Sequence, residues 1–240
     1  MRDVLKWLWT SFLRVLRPEW AGRLEYDFGW RFLTLLTPMN GQEGRRAITK
    51  AIISACRISR IVETGTLRGT TTEWFAQFGI PVVTCEIDRR HAAFSARRLR
   101  PLPNVTIEQC NSIELLGRLA KQDIDRFAPT LFYLDAHWYE YLPLRDELGL
   151  VLRNFRKAVV LVDDFAVPDD PGYHFDDYGP GKRLSLDYVQ ASNLPAHFTY
   201  FPSMPSQQET GMRRGCVVLT TDAEMAAILN RLPQLRAWNG

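Results

Sequence analysis

The sequence predicts an α/β fold: a seven-stranded, mostly parallel sheet with helices on both faces, an antiparallel last strand and an N-terminal helical cap. Three observations predict it. Short β-branched runs alternate with helix-compatible segments at intervals of 20-odd residues from residue 58 onward. Several of these runs end in an acid. The length of 240 residues, with 46% hydrophobic and 24% charged residues, suits one α/β domain with an appendage.

Residues 1–17, MRDVLKWLWTSFLRVLR, place Val4, Leu5, Leu8, Phe12, Val15 and Leu16 at helical spacing. Lys6, Arg14 and Arg17 with Trp7 and Trp9 suit a helix lying on a membrane interface, and equally one packed on the domain or on a twin subunit in a homodimer. Residues 1–48 are read as the helical cap and 49–240 as the main domain. Strand-like runs follow at 60–63, 82–86, 105–109, 131–135 and 158–164. The Pro-, Gly-, Asp- and Tyr-rich stretch after residue 165 reads as a lid or substrate loop, carrying His174, Asp176, Asp177, Tyr178 and Lys182. Two last runs, 197–201 and 215–221, read as a closing hairpin. The polar loop joining them carries Arg213 and Arg214, which face either an anionic substrate or solvent.

The formal charge is +3, and it is uneven: residues 1–60 hold 11 Lys+Arg against 5 Asp+Glu, leaving the rest at −3. That field is too weak for a nucleic-acid footprint, and Arg89, Arg90, Arg97, Arg98 and Arg100 read as a solvated helix face. Cys56, Cys85, Cys110 and Cys216 form no CxxC pair, which gives no support to zinc or thioredoxin-like chemistry and suits a reducing cytoplasm. No stretch is long and apolar enough to span a bilayer, and no A-x-A-like cleavage site follows the N-terminus. The expected location is cytoplasmic, at the inner face of the membrane if residues 1–17 bind there.

The stretch IVETGTLRGTTTEWF, residues 61–75, carries a carboxylate into a glycine turn. A glycine turn between strand and helix usually holds phosphate. Glu63 would repel phosphate and favour a cation or donated hydroxyls. S-adenosylmethionine, with its ammonium and sulfonium, meets that demand. Glu86 lies 21 residues after Gly65, where an acid can accept both ribose hydroxyls, with Asp88 as a weaker choice. Asn111 and Ser112 stand where an adenine amino group could be read.

On these residues the sequence resembles the class I S-adenosylmethionine-dependent methyltransferases, with their Rossmann-like fold. VETGTLRG matches their first motif, TCEID their second, and EQCNSIELL resembles the adenine-side segment, over about residues 50–221. The resemblance implies cofactor contacts at Glu63, Thr64, Gly65, Thr66, Gly69, Glu86, Ile87, Asn111, Ser112 and Asp135. A dinucleotide reading is weaker: G-x-G-x-x-G is absent, and Pro180 between two glycines breaks any helix joining Tyr178 to Lys182.

A hydroxyl acceptor needs a general base or a metal that lowers its pKa. Asp135 ends the fourth run, and Asp163 and Asp164 end the fifth, beginning 28 residues later. Adjacent parallel strands would gather these acids around one point suited to Mg²⁺. The arrangement resembles metal-dependent O-methyltransferases of the catechol, caffeoyl-CoA and macrolide-sugar types, which implies Asp135, Asp163 and Asp164 as metal ligands. The family's base position falls on Trp138, so His137, one residue short, becomes the candidate base beside Asp135, with a helix-capping role as its structural alternative. His174 is a second candidate base. Trp138, Tyr139 and Tyr141 would wall the acceptor pocket or pack a helix. The reading is a methyltransferase acting on a hydroxyl of a small molecule or glycan precursor. Its rivals are a non-catalytic cofactor- or sugar-binding domain docked to a membrane or protein complex, and other chemistry on the same scaffold.

Overall fold

The computed structural model describes residues 9, 11–29, 37–122, 127–137 and 142–238. Most of the N-terminal segment 1–17 and the aromatic group Trp138, Tyr139 and Tyr141 lie outside the described residues. In chain order the elements are α1 (Pro18–Gly29), α2 (Glu43–Ala55), β1 (Arg60–Thr64), α3 (Thr70–Ala76), β2 (Val82–Cys85), α4 (Arg89–Leu99), β3 (Val105–Glu108) and α5 (Ser112–Leu119). They continue with β4 (Thr130–Leu134), α6 (Leu144–Asn154), β5 (Ala158–Val162), α7 (Leu186–Gln190), β6 (Phe198–Pro202), β7 (Val217–Thr220), α8 (Ala223–Leu229) and β8 (Leu235–Ala237).

One sheet orders its strands β3-β2-β1-β4-β5-β7-β6-β8. The first five are parallel, β7 is antiparallel to both β5 and β6, and β8 is antiparallel to β6. The expected closing hairpin is the β6–β7 pair. The sheet has eight strands rather than seven: the short Leu235–Ala237 segment adds to the edge of β6. A three-residue run with one buried side chain carries too little periodic signal to be read from sequence.

Strands β1, β4 and β5 are buried along their whole length, because helices cover both faces. Val62, Phe132, Val160 and Val162 face α5 and α6 through Leu115, Leu116, Leu148 and Val151. Ile61, Leu131, Val159 and Leu161 face α2, α3 and α8 through Ile52, Phe75 and Leu229. The boundary placed between residues 48 and 49 falls inside α2, whose Ile48 and Ile52 pack on the sheet.

Helix α1 starts on Pro18, whose missing N–H costs nothing in a first turn. It lies against α4 at Gly22, where an added Cβ would stand 2.1 Å from the Arg90 carbonyl oxygen. Tyr26 meets Phe94 edge-on at 5.3 Å. Glu25 pairs with Arg68 at 2.8 Å and with Arg90 at 2.9 Å, and Asp27 with Arg97 at 3.0 Å. The basic run on α4 is therefore in part a docking face, since acids of α1 answer Arg90 and Arg97, while Arg89 and Arg100 stay exposed. These pairs are part-exposed and give alignment more than energy; the close packing at Gly22 and the burial of Leu13 and Ala21 hold the helix.

Candidate functional site

The strand order reverses between β1 and β4, and a cavity of about 660 Å³ opens beyond the carboxyl ends of the strands there. Gly65 makes the turn. Its φ is +83°, and a Cβ would stand 2.3 Å from the Asp135 carbonyl oxygen. The Gly65 and Thr66 N–H groups both donate to the Cys85 oxygen, and the Asp135 N–H donates to the Thr64 oxygen at 3.1 Å. The tips of β1, β2 and β4 are knitted into one rigid rim.

Six of the ten residues expected at the cofactor line this cavity: Gly65, Glu86, Ile87, Asn111, Ser112 and Asp135. Glu86 is fixed by the N–H groups of Leu67, at 2.7 Å on Oε2, and of Asp88, at 2.9 Å on Oε1. Asn111 Oδ1 caps α5 by accepting the Glu114 N–H at 2.8 Å. The hydroxyl of Ser112 is buried beside the Glu147 carboxyl group.

Glu63 departs from expectation. It is 1% exposed, takes the hydroxyl protons of Thr72 and, at 2.8 Å, Thr84, and is not among the lining residues. A strand side chain points to a sheet face, not along the strand, so an acid one residue before the tip is covered by α3. Burial, only partly offset by the two threonines, raises its pKa to about 7. Thr64, Thr66 and Gly69 likewise lie behind the rim; Thr66 Oγ1 is 2.6 Å from Thr84 Oγ1.

The acid group at β4 and β5 is rearranged too. Asp163 is fully buried, ion-paired with Arg45 of α2 and hydrogen-bonded by the Tyr133 hydroxyl, and does not line the cavity. Its Oδ1 also accepts the Asp164 N–H at 2.6 Å. Arg45 and Tyr133 hold the Asp163 carboxylate away from the cavity that Asp164 lines, so in this chain the pair does not converge on one point. The converging set is Asp135, His137 and Asp164, whose ligand atoms lie within 4.8 Å of one another. Asp164 sits in the left-handed region, φ +55°, which turns its carboxylate into the cavity.

His137 is 3% exposed and lines the cavity, and among the described residues neither ring nitrogen has a hydrogen-bond partner. Its Nε2 lies 4.0 Å from Asp135 Oδ1. Burial lowers its pKa, against the pull of the Asp164 and Asp176 carboxylates. Asp135 is pushed the other way: desolvation first, then the Asp164 and Glu63 charges, hold its pKa well above the ordinary carboxylate range. Among the described residues the next helix, α6, begins seven residues later at Leu144, too far for His137 to cap it.

The loop after β5 folds over this end. Asp176 and Tyr178 line the cavity, and the Tyr178 hydroxyl donates to the His137 oxygen at 3.2 Å. His174 is exposed and bridges backbone to Arg214 and Arg213, away from the cavity, so it is not placed to act as a base. Arg213 is exposed, whereas Arg214 lines the cavity and binds Asp164 and Asp176. Of the two arginines expected to face substrate or solvent, Arg214 reaches the site; Met212 and Asn40 were not legible as site residues, because loops distant in sequence bring them there.

No protein-family model and no curated relative matches the chain. Solved structures do. The O-methyltransferase TomG of Streptomyces achromogenes, involved in tomaymycin synthesis and solved with S-adenosylmethionine, aligns at a TM-score of 0.54 and 17% identity, over 89% of this chain and 95% of its own. An O-methyltransferase from Bacillus cereus, solved with S-adenosylhomocysteine, aligns at 0.50 and 16% identity, over 74% and 79%. A protein of echinomycin biosynthesis, from work on converting a disulfide into a thioacetal, aligns at 0.50 and 13%, over 81% and 90%. The chain thus has the Rossmann-like, mixed-sheet fold of the two O-methyltransferases.

Proposed function

We propose that this protein transfers a methyl group from S-adenosylmethionine to a hydroxyl of a small molecule or glycan precursor. One observation carries the reading: a single cavity holds Glu86 at the tip of β2 and an unpartnered, buried His137 beyond the tip of β4. Glu86, preset by two backbone N–H groups, accepts the ribose hydroxyls. Ile87, 59% exposed at the cavity wall, offers an apolar face to the adenine, with Asn111 and Ser112 at its edge. Gly65 lets the methionine part lie against backbone, beside Asp135. The cofactor supplies an electrophilic methyl, whose bond to sulfur breaks as the bond to the acceptor oxygen forms.

The acceptor then sits among His137, Asp164, Asp176, Tyr178 and Arg214. His137 takes the hydroxyl proton: its lowered pKa keeps the imidazole neutral at working pH, and a free ring nitrogen faces the cavity. The same three donors, Asp135, His137 and Asp164, fit a divalent ion, since their ligand atoms converge and the imidazole has no hydrogen-bond partner among the described residues. Such an ion would lower the hydroxyl pKa and make His137 a ligand instead of the base.

A mass-spectrometric screen for +CH₂ products over hydroxylated metabolites tests the reaction, run with Mg²⁺, Mn²⁺ or EDTA. Absence of cofactor binding in equilibrium dialysis would end the proposal. Turnover unaffected by EDTA assigns proton removal to His137; turnover requiring an added ion assigns it to the metal route. Among the described residues no helix is long and apolar enough to cross a membrane. Residues 11–15 are helical and expose Phe12 and Val15, which supports peripheral contact through residues 1–17. Equal flotation with anionic liposomes of the full chain and of a chain lacking residues 1–17 would dismiss that contact.

A further inference from the structure

Asp164 and Asp176 share one guanidinium. Arg214 Nε lies 2.7 Å from Asp164 Oδ1, and its Nη2 binds Asp176 Oδ1. The backbone of Arg214 is gripped from the N-terminal end of α2. Gln42, fully buried, donates from Nε2 to the Arg214 oxygen at 2.8 Å and accepts the Arg214 N–H on Oε1 at 2.8 Å. Arg45 donates to the same carbonyl and, at 2.9 Å, to that of Gly215. Arg45 also pairs with Asp163, whose carboxylate holds the Asp164 N–H. One helix end therefore sets both partners of the Arg214–Asp164 pair.

Asp135 and His137 converge on Asp164 as well, with ligand atoms within 4.8 Å, and among the described residues the buried His137 ring has no hydrogen-bond partner. A carboxylate has about four lone-pair sites, so Asp164 can face a guanidinium and a second cation in turn. We propose that Arg214 is a resident counter-cation that competes with a divalent ion for Asp164, so that one clamped side chain decides whether Asp135, His137 and Asp164 hold a metal. The proposal rests on reading those three residues as a cation-binding set. An imidazole donor turns that set away from Mg²⁺, which favours oxygen ligands, and toward ions such as Mn²⁺.

The test measures Mn²⁺ binding by electron paramagnetic resonance, with circular-dichroism melts to confirm folding. The wild type is compared with Arg214→Met, Arg214→Lys and the double variant Arg214→Met/His137→Ala. Removing a like charge a few ångströms from the ion should tighten Mn²⁺ by about tenfold or more in Arg214→Met. Arg214→Lys, which keeps the charge, should stay near the wild type, and the double variant should lose the gain. Arg214→Gln carries the same expectation as Arg214→Met should the latter fail to fold. Equal Mn²⁺ affinity in the wild type and the charge-deleted variant overturns the competition but leaves the cation set standing. No binding by any variant overturns the cation set and the competition with it.

Discussion

Gly65 meets two constraints that only a glycine satisfies together, a φ of +83° and a carbonyl oxygen 2.3 Å from where a Cβ would stand. Gly65→Val should abolish labelled-cofactor binding in equilibrium dialysis and cost about 2–4 kcal/mol in urea denaturation, a steric clash added to positive-φ strain. Glu86 is reported by the same assay: Glu86→Ala should weaken binding about 10- to 100-fold, the range for losing charge-assisted hydrogen bonds. For His137 the sign of the pH dependence follows from burial. A lowered pKa leaves the ring neutral and competent above it, so metal-free kcat/KM should rise with pH only below about 6.5 and be flat near neutrality. A profile still climbing through pH 8 would remove His137 as the base.

At the scale of elements, the docking of α1 on α4 ties the N-terminal segment to the glycine turn after β1, because Arg68 within that turn pairs with Glu25. The contact depends on the absent side chain at Gly22 more than on the ion pairs. Gly22→Leu should raise hydrogen exchange over residues 18–29 and lower stability by about 1–3 kcal/mol, leaving the core strands protected. Glu25→Gln should change exchange much less, since part-exposed pairs are worth about 0–1 kcal/mol each. The acids of α1 and the arginines of α4 were both visible in the sequence. That they face each other was not, since α1 is separated from α4 by two helices and two strands.

Across the whole molecule, two buried carboxyl groups link folding to pH. Glu63 and Glu147 both have pKa values raised from 4.5 to about 7 by burial, which the neighbouring threonine and serine hydroxyls offset only in part. A pKa higher in the folded state means that the folded protein holds more protons. Their contribution is complete below the unfolded value and declines as pH rises through about 7. Denaturant-derived stability should therefore fall between pH 5 and 8. Glu147→Gln should flatten that slope and stabilise the protein at pH 8 by up to about 3 kcal/mol, the equivalent of a shift of roughly two units. An unchanged slope in the variant would mean that Glu147 stays protonated throughout or is solvated.

The sequence by itself determined the sheet and the place of the site. Apolar runs of five residues can be buried only between helices, and a glycine turn after such a run marks the strand tip beside which ligands bind. It also determined Glu86, Asp135, His137 and Asp164 as candidates, since each falls at or just past a strand end. The tertiary structure alone decided which carboxylates face the cavity. Glu63 and Asp163 lie as close to their strand ends in sequence, yet side-chain direction buries one under α3 and the other against Arg45. It alone decided the role of Arg214 as well, because the side chains that clamp it, Gln42 and Arg45, stand some 170 residues away on another helix. Local pattern records which face a residue can take; only packing records which partner reaches it.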